Sequence, residues 1–87
     1  MPELPSVNAG RLIRALRRAG FQVHHVTGSH YVLKHPGRPT LRVVVPYHGS
    51  ADIKRGVLRA ILKQAGLTAG ELQDLALDRR PIRVAWR

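Results

Sequence analysis

The hydrophobic period changes twice along this chain, and those changes restrict the fold more than any other feature of the sequence. From Ser6 onward Ala9, Leu12, Ile13, Leu16 and Ala19 recur at the three-and-four spacing that lines one helix face, with Arg11, Arg14, Arg17 and Arg18 between them. Ser6 as N-cap and Gly20 as a left-handed stop bound an amphipathic helix over about residues 7 to 19, basic on its outer side.

The period then falls to two. Phe21 to Thr27, His30 to His35 and Thr40 to Val45 are rich in β-branched and aromatic residues, and Gly28-Ser29 and Pro36-Gly37-Arg38-Pro39 separate them. Three antiparallel strands joined by hairpins follow. Alternation sends Tyr31, Leu33 and His35 to one face of the second strand and His30, Val32 and Lys34 to the other. In the third strand Leu41, Val43 and Val45 oppose Arg42 and Val44. A helix-covered face on the first set leaves His30, Lys34 and Arg42 on the open side.

After the loop Pro46-Tyr47-His48-Gly49-Ser50 the helical period returns in Val57, Leu58, Ile61, Leu62 and Ala65, with Lys54, Arg55, Arg59 and Lys63 outside the stripe and Gly66 ending it. Thr68 caps a short third helix that turns Leu72, Leu75 and Ala76 inward and holds Glu71 in its first turn. Pro81 blocks further helix. The expected organisation is one α+β domain over residues 1–77, followed by a basic tail or extra strand over 78–87, where Ile82, Val84 and Trp86 alternate with Arg83 and Ala85.

Fifteen Lys and Arg against five Asp and Glu give a formal net charge of +10, a potential that attracts polyanions, so nucleic acid is the leading partner. Twelve of the fifteen cations are Arg, whose planar fork pairs bidentately with phosphate and stacks on bases. There is no cysteine, hence no disulfide or thiolate metal site. The N-terminus lacks a basic region followed by an apolar run, and no eighteen apolar residues follow one another, so a cytoplasmic protein with no membrane association is expected.

Five histidines invite a metal-site reading, yet His24 and His25, as strand neighbours, are expected on opposite faces, and no His-Glu-x-x-His helix is present. Glu3, Asp52, Glu71, Asp74 and Asp78 form no close carboxylate group of the kind that holds Mg²⁺ for phosphodiester hydrolysis, and a Gly-Lys-Ser/Thr phosphate loop is absent. No metal and no cofactor are expected. What remains is metal-free RNA chemistry, in which a base takes the proton of a 2′-hydroxyl that attacks the adjacent phosphate. Imidazole, titrating near about 6.5, suits that transfer, and Arg or Lys can stabilise charge on the non-bridging oxygens. Composition alone does not choose among the five histidines.

Four pieces in order make that choice: Gly28-Ser29-His30-Tyr31, His35-Pro36-Gly37, Val45-Pro46-Tyr47-His48, and Gly56-Val57-Leu58-Arg59-Ala60-Ile61-Leu62-Lys63-Gln64-Ala65-Gly66-Leu67. Together they resemble the HicA family over about residues 8 to 76. The resemblance implies a helix, a three-stranded antiparallel sheet and a following helix, similar to the double-stranded-RNA-binding domain. It further implies an mRNA-cleaving toxin of a toxin–antitoxin pair, a HicB-like antitoxin that covers its active surface, and the Gly-Ser-His histidine, His30, as catalytic residue. His48 stands at the family's Val-Pro-x-His position, where it assists or orders the loop. Gly28 and Ser29 either supply backbone donors to a phosphate or form a simple hairpin turn. Lys34 and Arg42 are RNA-binding candidates because alternation puts them on the face of His30. His24, His25 and His35 are read as sheet or rim residues, and the arginines of the first helix as a solvated face. The rival reading is a non-cleaving RNA-binding module. A DNA-binding regulator ranks below it, since no helix-turn-helix spacing is present.

Overall fold

A computed structural model of the chain describes residues 4–77. Its elements run α1 (Ala9–Arg18), β1 (Gln22–Thr27), β2 (His30–His35), β3 (Arg38–Pro46), α2 (Arg55–Ala65) and α3 (Ala69–Leu77). The strands form an antiparallel sheet in the order β1-β2-β3. This is the expected α+β arrangement, consistent with a double-stranded-RNA-binding-domain-like fold.

Helix α1 begins later than its sequence suggests. Asn8, not Ser6, is the N-cap, its Oδ1 accepting from the Arg11 N–H at 2.9 Å. Val7 explains the shift, because it is a core residue and its carbonyl accepts from the Ile53 N–H at 2.9 Å. Asn8 also bridges Asp52 in antiparallel fashion. Residues 7 and 8 are thus held extended against the segment before α2, and the helix can start only after them. At its other end Gly20, at φ +102°, turns the chain back toward the sheet.

Strand β3 starts at Arg38, two residues before the expected Thr40. A register shift between Lys34 and His35 lets His35 pair with Arg38, and Pro39 is accommodated because β3 is an edge strand. The outer edge of β3 is partly covered from α2, where Gln64 Oε1 accepts from the Val44 N–H at 3.2 Å.

One face of the sheet carries the core. Leu33, Val43 and Val45 pack with Leu12 and Leu16 of α1, Leu58 and Ile61 of α2, and Leu72 and Leu75 of α3. Val57 departs from the expected stripe: in the first turn of α2 it remains 39% exposed. Gly66 closes α2 in the left-handed region at φ +70°. Thr68 and Glu71 then form a reciprocal cap, the Thr68 N–H donating to Glu71 Oε1 at 2.8 Å and the Glu71 N–H to Thr68 Oγ1 at 3.1 Å. Arg18 leaves the solvated stripe to donate from Nη1 to the Leu75 carbonyl at 2.6 Å, joining α1 to the last turns of α3. The tail over 78–87, with its expected strand, lies outside the described residues. No helix among the described residues is long and apolar enough to cross a membrane.

Candidate nucleic-acid and catalytic site

Opposed residues of antiparallel strands share a face, so the register defines the open side of the sheet. Its rows are Gln22, Lys34 and Arg42; then His25, Val32 and Val44, of which Val32 is buried; then Thr27, His30 and Pro46. Lys34 and Arg42 are direct partners and both exposed, and His30 is exposed at the start of β2. The expected company of His30, Lys34 and Arg42 therefore holds. They are not clustered, however. Lys34 lies four positions along β2 from His30, roughly 13 Å at strand rise, so the two cations stand apart from the histidine.

The structure also sorts the five histidines. His35 is fixed internally: its ring stands edge-on to Phe21 at 5.1 Å, Nδ1 accepts from the Gly37 N–H at 3.1 Å, and Nε2 lies 3.0 Å from the Ala19 carbonyl. Since Nδ1 accepts, Nε2 carries the proton and donates to that carbonyl. His24 and His25 do not diverge as strand neighbours should. A bulge between Val23 and His25 inserts His24 as an extra residue, and the two rings meet with Nδ1 atoms 2.7 Å apart. Their exposure leaves them as rim residues, with no third metal-ligating side chain beside them among the described residues. His30 and His48 make no side-chain hydrogen bond, ion pair or ring contact with other described residues.

The Gly28-Ser29 turn is a tight hairpin with Gly28 at φ +57°. The carbonyl of Ser29 accepts from the Tyr47 N–H at 2.7 Å, so the segment entering His30 is tied to the segment leaving β3. Tyr31 and Tyr47 reinforce this tie with ring centroids 5.3 Å apart. Beyond it, His48 opens a turn closed by the Ala51 N–H on its carbonyl at 3.3 Å. His48, Asp52, Ile53, Lys54 and Val57 line a cavity of about 530 Å³ whose wall also includes Pro46, the register partner of His30.

A family model described as HicA toxin of bacterial toxin-antitoxin matches residues 9–67, the span from α1 through the end of α2. The chain belongs to the HicA toxin family. No curated protein matches it. A HicA toxin is one half of a toxin–antitoxin pair, so membership implies a cognate antitoxin. In this HicA chain the matched span contains the Gly28-Ser29-His30 turn, the open sheet face and the cavity together. The cavity was not foreseen in the sequence. Its only signal there is Asp52, the one acidic residue between Glu3 and Glu71 in a strongly basic chain.

Proposed function

We propose that this HicA toxin is a cytoplasmic endoribonuclease that cleaves mRNA without a metal ion, and that His30 is its general base. The observation that carries the reading is the sorting of the histidines: His30 alone combines the Gly-Ser-His turn, exposure on the open sheet face and ring nitrogens with no hydrogen-bond partner among the described residues. His30 takes the proton from the 2′-hydroxyl, whose oxygen attacks the adjacent phosphorus. The bond to the 5′-oxygen breaks, giving a 2′,3′-cyclic phosphate and a 5′-hydroxyl end, with the leaving oxygen protonated from solvent or from the imidazolium. Lys34 and Arg42 hold a neighbouring phosphate, and the Gly28 and Ser29 backbone with His48 borders the reacting strand. A HicB-like antitoxin silences the toxin by covering this face.

His30→Ala should abolish RNA cleavage and growth inhibition, a loss of roughly 10²- to 10⁴-fold if only the base contribution is forfeited. The side chain is exposed, so circular dichroism and antitoxin binding should stay near wild type. Substituting a 2′-deoxynucleotide at the scissile position should stop the wild-type protein equally, and cleavage should persist in EDTA. A folded alanine variant cutting at the normal rate, or cleavage at the deoxy position, overturns the mechanism.

A further inference from the structure

Asp52 is the one carboxylate between Glu3 and Glu71, and it lines the cavity at the end of β3. The chain carries a net charge of +10, and the cavity that Asp52 lines shares Pro46 with the row of His30. A carboxylate beside an RNA backbone repels phosphate, so its presence there calls for a donor-bearing group instead. We propose that the cavity at the end of β3 binds the nucleobase next to the scissile phosphate and that Asp52 and Lys54 select guanine. The proposal rests on the RNA-cleaving reading for the position of the scissile phosphate and on the cavity for the choice of base.

The segment that presents the two side chains is held in place at several points. Asn8 bridges Asp52, the Ile53 N–H donates to the Val7 carbonyl at 2.9 Å, and Lys54 is extended at φ −62°, ψ 144°. Ile53 packs against the core, and Asp52 and Lys54 on either side of it are exposed and line the cavity. Neither makes a side-chain hydrogen bond or ion pair with other described residues. The remaining walls suit a flat heteroaromatic ring: Pro46 and the exposed Val57 are apolar, and the His48 imidazole offers a stacking face. A volume of about 530 Å³ falls in the ordinary range of small-molecule pockets and admits a base with its sugar.

The donor pattern picks the base. An ionised carboxylate only accepts, with two oxygens, and an ammonium only donates. Guanine alone presents two adjacent N–H donors, N1–H and the 2-amino group, beside an acceptor, O6. Asp52 takes the donor pair and Lys54 the O6 atom. Adenine and cytosine offer one amino group beside an acceptor nitrogen, which meets the carboxylate with like polarity. Uracil offers one N–H between two carbonyls.

The test compares RNAs that differ at one nucleotide beside a mapped cut, carrying guanosine, inosine or adenosine, with cleavage measured for the wild-type protein and binding measured on His30→Ala. Inosine lacks the 2-amino group and should reduce both by roughly 5- to 100-fold, adenosine by at least as much. Asp52→Asn, which keeps the backbone bridge to Asn8, should lose the guanosine preference and move toward adenosine, whose N6 and N7 match an amide. Equal cleavage and binding for guanosine and inosine overturns the pocket assignment while leaving the nuclease reading intact. A protein that cuts nothing yet binds guanosine-bearing RNA over inosine-bearing RNA overturns the nuclease reading and supports the pocket. If Asp52→Asn weakens only antitoxin binding, the cavity belongs to the antitoxin and the proposal fails. The inosine comparison needs no variant in the cavity, so poor folding of Asp52→Asn cannot blunt it.

Discussion

Gly20 and His35 act as one unit at the crossing from α1 into β1. At φ +102° Gly20 holds a backbone conformation that a residue with a Cβ rarely adopts, and a Cβ there would lie 2.5 Å from His35 Nε2. Gly20→Ala should therefore destabilise the protein by about 1–3 kcal/mol, seen as a lower urea midpoint. Removing the His35 ring relieves the clash but not the φ strain. The double variant with His35→Ala should consequently lose less than the sum of the singles, and strict additivity would show that the two do not communicate. At this scale the sequence yields residue types but not partners. His35 was legible as a core-side strand residue from alternation, whereas its hydrogen bonds to Gly37 and Ala19 depend on turns that alternation does not describe. His24 and His25 were misplaced for a related reason. Counting faces residue by residue assumes an unbroken ladder, and one bulge at His24 shifts the count for everything on its N-terminal side.

Among the elements, those with a strong period and a glycine stop were read nearly to the residue, and the discrepancies arise where tertiary contacts overrule local signals. Ser6 and Asn8 are both good cap residues, and only the burial of Val7 and its bond to Ile53 decide between them. Asn8→Ala should cost about 1 kcal/mol, while Ser6→Ala should change stability by less than about 0.5 kcal/mol. Chemical denaturation of the two variants side by side distinguishes the caps; equal effects would return the start of the helix to Ser6. The early start of β3 was hidden by Pro36 and Pro39, which read as turn residues unless the strand is already known to lie at an edge. Val57 fits the apolar stripe by spacing, yet it falls in the first turn of α2 beside the cavity, beyond the reach of the sheet. The residues lining that cavity all fall between Pro46 and Val57, yet the loop that folds them round one space has no hydrophobic period to announce it.

The whole molecule separates its charge in a way that net charge alone does not reveal. Arg11, Arg14 and Arg17 are exposed on the side of α1 away from the core, whereas Lys34 and Arg42 are exposed on the opposite, open side of the sheet. The proposed mechanism requires a single strand engaged at His30 to run along the second surface and not the first. Binding to single-stranded RNA releases counterions, with a log–log salt slope of about −0.7 for each phosphate neutralised. If Lys34 and Arg42 each neutralise one phosphate, replacing both with Ala should flatten the slope by about 1.4. The triple variant Arg11→Ala, Arg14→Ala, Arg17→Ala should leave the slope for the same short RNA nearly unchanged, despite removing more charge. Fluorescence titrations at several salt concentrations, on the His30→Ala background to prevent cleavage, read both slopes directly. The reverse result, a flattened slope for the α1 triple variant and none for the sheet pair, would transfer RNA binding to the helix side and detach it from His30. Equal flattening would mean that the strand wraps both faces, which a short oligonucleotide bound only across the sheet cannot do.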